Sequence, residues 1–525
     1  MGVASGRGGL RQLLIGVDAM EWDLVLRWAR EGKLPTFRRM MDQGMLGELS
    51  TTAAQLPDTV WTSLHTGLNP AKLEKYFYVQ YDAMTMGLRH VLDDAIQQTP
   101  FWEYLSKAGC RVGIVDVPEF PLSRSLNGFQ LTNWGAHAST AARSSTPASL
   151  WEEIESRFGR HPVGECDAVY DAQATLRRLR DRVLEGVRSH GEVFRYLMRE
   201  RPWDVFFASF SASHCIGHHF WHFMDSTHPR QPKVDKYGLK DAIEQAYRAI
   251  DREVGEMRAL AGGEIRCMVV AGHGMGALYH ASWNLPEILE LLGYGRRPVS
   301  EVVAGGKPRT ARVNPWRILK MTVPGALQYR IKAMLPQAMQ DHLLILWHAG
   351  RREWEGCPAF AIPNNDSVGA IRVSVKGRDL RGYVEPGDEY RRVCRGIANA
   401  LYELTDPASG QPVVKRVTLT HEEFQGPFLD QLPDLTVLWD HSFPWGSLHS
   451  PRFGTLRLHR QDGRTGSHTP HGFVLVTGPG VPACAKWEGG SIYDIAPTVM
   501  NAAGVPIPPD LDGRPLPIPS VAAPL

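Results

Sequence analysis

Two histidines four residues apart, His214 and His218, stand in the run Ser213-His214-Cys215-Ile216-Gly217-His218-His219-Phe220-Trp221. On a helix this spacing puts both imidazoles on one face, where they could share a metal ion, and imidazole ligands suit zinc, iron or manganese. The plainer reading is a His-rich turn packed by Phe220 and Trp221. Three more residues stand where ligands collect. Asp18 follows the apolar run Leu13 to Val17, His273 lies between Gly272 and Gly274 after Val269-Val270, and His468 opens the stretch Gly466-Ser467-His468-Thr469-Pro470-His471-Gly472. Taken singly, Asp18 reads first as a helix N-cap, and His273 and His468 first as structural histidines. The His273 run is not a dinucleotide fingerprint, because the GxGxxG spacing and its acidic partner are missing.

The elements that must position these residues read as an α/β sandwich with a mainly parallel central sheet. Short apolar runs, the mark of strands buried on both faces, occur at Leu13 to Val17, Val112 to Val115, Val205 to Phe210, Cys267 to Val270, Leu435 to Leu438 and Phe473 to Val476. Helical periodicity with charged outer faces covers Glu21 to Gln43, Leu176 to Arg199 and Lys240 to Leu260. Asp18, His214 and His273 then fall just beyond strands, at the carboxyl edge where open α/β sheets bind ligands.

Two regions depart from this rhythm. Between Arg296 and Lys332, nine Lys or Arg face a single acid, Glu301, with Trp316, Ile318 and Leu319 interleaved. That reads as a basic helical insert, either solvated or turned toward an acidic ligand or membrane surface. Pro358 to Val417 carries a strand pattern at Ile371 to Val375 and a turn-rich stretch, as expected of a small accessory α+β subdomain. The expected organisation is a first core part (1–295), the insert (296–355), the accessory subdomain (356–418) and a completing core part (419–525).

Composition narrows the class. Charged residues at 22% and hydrophobic residues at 43% of 525 describe a folded globular chain, and a net charge of +2 gives no field to recruit nucleic acid. Seven scattered cysteines with no CxxC argue against a disulfide framework or thiolate zinc site and for a reducing, cytoplasmic setting. No apolar run approaches the roughly 20 residues of a membrane span.

Leu14-Ile15-Gly16-Val17-Asp18, Trp61-Thr62-Ser63-Leu64-His65-Thr66-Gly67-Leu68-Asn69-Pro70, His218, Val269-Val270 with His273-Gly274, and Gly466 with His468 occur in an order that resembles the alkaline phosphatase superfamily. The tail, Ser491-Ile492-Tyr493-Asp494-Ile495-Ala496-Pro497-Thr498 with Asp512-Gly513-Arg514-Pro515, continues the resemblance. It is narrowest to the type I phosphodiesterase/nucleotide pyrophosphatase and phosphohydrolase branch. The resemblance implies a divalent-metal enzyme, zinc first and manganese or iron as alternatives, acting on a small phosphorylated anion. It implies Asp18 and His273 at one metal, His218 and His468 at another, and a Thr or Ser nucleophile between them.

Three positions depart from that pattern. His214 stands for an Asp, Gly272 for an Asp, and Pro57 for the nucleophile. His214 still offers a ligand, and with His218 and His468 makes a three-imidazole set. With Pro57 inert, the nucleophilic role falls to Thr59, with Asp58 beside it as the second catalytic candidate. Three functions follow as expectations: a metal-dependent phosphoester hydrolase or transferase, a single-metal enzyme of altered chemistry at His214/His218/His468, or a non-catalytic binding relative.

Overall fold

The computed structural model describes residues 10–135, 143–163, 172–295, 354–458 and 463–518, together with Met339. Its strands in chain order are β1 (Gln12–Val17), β2 (Met45–Ser50), β3 (Val79–Asp82), β4 (Gly87–His90), β5 (Val112–Val115), β6 (Gly128–Thr132), β7 (Ser144–Thr146), β8 (Val205–Phe210), β9 (Arg266–Ala271), β10 (Gly274–Ala277), β11 (Ala359–Ile362), β12 (Val368–Val373), β13 (Val414–Leu419), β14 (Leu435–Trp439), β15 (Ser447–Ser450), β16 (Gly454–Arg457), β17 (Gly466–Thr469), β18 (His471–Thr477) and β19 (Ala485–Ser491). Nine form one sheet in the order β19-β2-β18-β9-β1-β8-β5-β6-β7. The strands β9, β1, β8, β5 and β6 pair in parallel. β18 is inserted antiparallel between β2 and β9, and β7 closes the far edge antiparallel. The Phe473 to Val476 strand thus belongs to the main sheet but runs against its neighbours.

Helices cover both faces. On one lie α1 (Trp22–Arg30), α2 (Pro35–Gln43), α5 (Ser149–Phe158), α6 (Gln173–Glu200), α7 (Ala212–Met224) and α8 (Ala242–Ala261); on the other lie α3 (Val60–Thr66), α4 (Phe101–Lys107) and α12 (Ile495–Ala502). β1 shows why both layers form: Leu13, Ile15 and Val17 point into the first, Leu14 into the second. Every residue of β1, β8 and β9 is buried, as their unbroken apolar runs require. The expected helix over Glu21 to Gln43 is two helices, because Pro35 has no N–H to continue a helix and starts the second one.

The strand at Leu435 to Leu438 was expected in the parallel sheet. It lies instead in a separate antiparallel sheet, β11-β12-β14-β13, which packs with α9 (Leu285–Leu291) and α10 (Asp388–Tyr402); the short α11 (Thr420–Glu423) follows β13. An apolar run cannot distinguish the two sheets, since both bury it. The accessory unit therefore runs past residue 418, at least to Trp439. Apart from Met339, Trp354 and Glu355, the expected insert at 296–355 lies outside the described residues. No helix among the described residues is long and apolar enough to cross a membrane.

Candidate metal centre

β8 ends at Phe210 and α7 begins two residues later, so its first turns stand at the carboxyl edge of the sheet. His214 and His218 follow one helical turn apart. His468 was expected at a loop opening; it sits within β17, whose antiparallel pairing sets it opposite Met275 of β10. Close approach makes this meeting of elements possible: a side chain at Gly466 would begin 2.2 Å from the Gly217 carbonyl oxygen of α7. Across that contact His218 Nδ1 lies 2.8 Å from the Gly466 oxygen. Donation there fixes the proton on Nδ1 and leaves Nε2 as a lone pair, the orientation a metal ligand needs.

The Nε2 atoms of His218 and His214 are 3.2 Å apart, and those of His468 and His214 2.8 Å. The three rings offer ligand atoms all within 4.8 Å of one another, and all three residues are buried. A tetrahedral zinc with nitrogen ligands at about 2.0–2.1 Å holds them about 3.3 Å apart, so this donor set fits such an ion with small adjustments.

Asp18 and His273 stand beside this group. His273 Nε2 is 3.5 Å from Asp18 Oδ1, and the His273 ring is 4.2 Å from that of His468, centroid to centroid. Trp61 Nε1 donates to the same Asp18 oxygen at 3.0 Å, and Ser213 Oγ to the Asp18 carbonyl at 2.6 Å. The five sequence-predicted ligands thus form one contiguous cluster, with the imidazole trio at one end and the Asp18–His273 pair at the other. Glu21, which the sequence did not single out, ties β17, which carries His468, to β10, which follows His273. Its carboxylate accepts from Met275 N at 2.9 Å and Thr469 Oγ1 at 2.8 Å. Burial raises its pKa above the usual carboxylate value, against those hydrogen bonds.

Gly272 has a steric explanation. A Cβ there would lie 2.3 Å from Val60 Cγ1, so the space a carboxylate would use is filled by Val60. Thr59 is fully buried, and its hydroxyl donates to Leu56 O at 2.7 Å and pairs with Thr52 Oγ1 at 2.9 Å. It is held by the turn that carries it rather than offered to a substrate. Asp58 differs: burial pushes its carboxyl up to about 6, while Lys75 and the Asn365 amide at 3.2 Å pull the other way.

Asp58 belongs to an acidic end of the site that the sequence did not reveal. Lys75, buried, is ion-paired with fully buried Asp93; burial opposes its charge, but Asp93 and then Glu119 hold its pKa up. Glu119 is raised well above the carboxylate range by burial and by the charge of Asp58. No spacing links residues 58, 75, 93 and 119, so only folding assembles them. Ala19, Asp116 and Glu119, beyond β1 and β5, have φ of 53°, 50° and 56°, so backbone strain collects at this same edge.

The sequence profile of the type I phosphodiesterase / nucleotide pyrophosphatase family matches residues 12–444. No curated protein matches in sequence. Among solved structures, murine ectonucleotide pyrophosphatase/phosphodiesterase 5, an inactive variant in complex with AMP, superposes with a TM-score of 0.50 at 12% identity, covering 95% of this chain and 96% of its own. Phosphonoacetate hydrolase from Sinorhizobium meliloti 1021, in complex with phosphonoformate, gives 0.49 at 14% identity over 94% and 95%. The first likeness agrees with the mostly parallel α/β fold described above, and the profile spans most of the sequence: the chain belongs to the type I phosphodiesterase / nucleotide pyrophosphatase family.

Proposed function

We propose that this chain is a metal-dependent phosphoester hydrolase whose metal centre is His214, His218 and His468. The observation that carries the reading is the convergence of these three buried imidazoles, from segments 254 residues apart, at the carboxyl edge of the sheet. A divalent ion held there, zinc first and manganese or iron as alternatives, supplies Lewis acidity toward a phosphoryl oxygen. His273, whose Nδ1 is turned to the Gly274 carbonyl oxygen at 3.2 Å and whose Nε2 stands 3.5 Å from Asp18, would hand a proton from Nε2 to the departing alkoxide. With Pro57 unreactive and Thr59 enclosed, water is the nucleophile: its oxygen bonds to phosphorus, the ester P–O bond breaks, and Asp58 takes the proton released. A carboxyl near 6 can be a base at neutral pH.

The acidic end bears on substrate choice. Asp18, Asp93 and, above about pH 6, Asp58 outnumber Lys75 there, which disfavours a dianionic monoester more than a monoanionic diester. The reading is therefore of a small phosphodiester, in keeping with the family. Cys215, Cys267, Cys394 and Cys484 are free thiols, which supports a reducing compartment such as the cytoplasm.

The test is hydrolysis of bis(p-nitrophenyl) phosphate and p-nitrophenyl phosphate by the purified protein, with metal analysis, in the natural chain and in His468→Ala. Faster diester turnover, lost with the metal in the variant, is expected. Undiminished turnover in His468→Ala would overturn the assignment, and a metal-loaded protein inert to both esters would favour a binding role.

A further inference from the structure

The run Pro363-Asn364-Asn365-Asp366-Ser367 joins β11 to β12, and these turn-forming residues make it the loop of an antiparallel hairpin in the accessory sheet. The loop nevertheless ends against the catalytic end of the main domain. Asn364 Nδ2 donates to the Gln55 carbonyl at 3.0 Å, and Asn365 Nδ2 to Asp58 Oδ1 at 3.2 Å. Gln55 and Asp58 flank the turn that carries Pro57. Asp366 is fixed in its turn by Trp283 Nε1, which donates to its Oδ1 at 2.9 Å.

An asparagine can present either end of its amide to a neighbour, and at Asn365 the choice is fixed. Its Oδ1 accepts from Ser367 N at 3.3 Å and from Ser367 Oγ at 3.1 Å, and a backbone N–H can only donate. The amide nitrogen is therefore the end turned to Asp58, where it favours the ionised carboxylate. Ser367 is fully buried, and Val368 N donates to the Asn365 carbonyl at 3.0 Å, so the aim of the side chain is built into the hairpin. The other groups facing Asp58 are titratable. Lys75 favours its ionised form, Asp366 and Asp93 oppose it, and Glu119 competes with it for ionisation.

We infer that Asn365 is a positioning residue of the catalytic site, supplied by the accessory unit: it holds Asp58 Oδ1 and so turns the other carboxylate oxygen to the attacking water. The inference rests on the reading of Asp58 as the base that takes the proton from that water. Asp58 is only partly buried, so water can reach it. A short carboxylate side chain on a turn has two torsions to set, and a donor aimed by a buried serine sets them before substrate arrives. The two parts of the molecule then share one task. The main sheet brings the metal ligands together, and the β11–β12 hairpin fixes the direction and the ionisation of the base.

Two substitutions test this. Asn365→Ala removes the donor, whereas Asn365→Asp keeps the shape and the acceptor for Ser367 but sets a second carboxylate against Asp58. The rise of bis(p-nitrophenyl) phosphate turnover through pH about 6 is expected to move up by about one pH unit in Asn365→Ala, the worth of a hydrogen bond to a charged group. It should move further in Asn365→Asp, because adjacent carboxylates resist joint ionisation. Turnover below that rise should fall about tenfold in Asn365→Ala, with KM held within about twofold. The same shift can be read without substrate, as the pH window over which each protein and its Asp58→Asn partner diverge in urea stability. That gap stops opening near pH 6 in the natural chain and should stop about one pH unit higher in Asn365→Ala. A rise and a window both unmoved in Asn365→Asp overturn the inference, as does an equal loss of turnover at every pH, the mark of a merely structural role. A window that moves in a protein inert to the ester would remove the hydrolase reading alone and leave the hold of Asn365 on Asp58 standing.

Discussion

Replacing Gly272 with Ala tests whether Val60 has taken the place of the family's carboxylate. The new Cβ would sit 2.3 Å from Val60 Cγ1, with Ile492 Cδ1 at 3.5 Å. Val60 is fully buried at the start of α3 and, being β-branched, has little rotamer freedom with which to yield. Overpacking of this kind costs about 1–3 kcal/mol. Val60→Ala alone removes two methyl groups' worth of buried surface, about 2 kcal/mol with part of the cavity cost. In the double variant the added methyl falls into the vacated space, so its loss should be about 1–2 kcal/mol instead of the summed 3–5. Urea unfolding of the four proteins measures that coupling, a favourable interaction of about 2 kcal/mol. A Gly272→Ala protein as stable as the natural chain, or a double variant additive within about 0.5 kcal/mol, would refute the steric account. If the account holds, Val60→Ala with Gly272→Asp has room for the missing carboxylate, and metal analysis should find one ion more per chain than before.

Thr59→Ala should leave diester turnover within about twofold while lowering stability by about 1 kcal/mol, the worth of its enclosed hydrogen bonds; loss of turnover with stability intact would restore Thr59 as nucleophile. Asp58→Asn should abolish the rise in activity through pH about 6. Its stability should diverge from the natural chain over the same window. The folded pKa of Asp58 lies above its ordinary 3.8, so its stabilising contribution is complete below that value and is lost as pH rises to about 6. The gap in favour of the Asn variant should therefore open between those values and stay constant above them. Trp61→Phe removes the donor to Asp18 Oδ1 and should cut turnover several-fold while metal content at the trio is unchanged; equal turnover would mean that Asp18 needs no such support.

The main sheet was legible because its strands are apolar runs too short for helices and too continuous for surface strands, and β1, β8 and β9 could be read almost to the residue. The helical spacing of His214 and His218 was equally local, as was the position of Asp18 just past β1. What the sequence could not determine was which runs pair with which. Leu435 to Leu438 and Phe473 to Val476 are apolar in the same way, yet one lies in the accessory sheet and the other runs antiparallel within the main one. Burial writes the pattern, and it is indifferent to direction and partner.

The site divides along the same line. Residue types marked Asp18, His214, His218, His273 and His468, since few side chains can hold a metal. Only the tertiary structure decided that His468 reaches the trio from a strand, that Glu21 secures that strand, and that Val60 occupies the space beside His273. It also gathered Asp58, Lys75, Asp93 and Glu119 at one end, and brought Asn365 of the accessory unit against Asp58. The reason is physical: ligand capacity belongs to the side chain and can be read from its name, whereas electrostatics and steric exclusion act through space between residues whose separation in sequence carries no information.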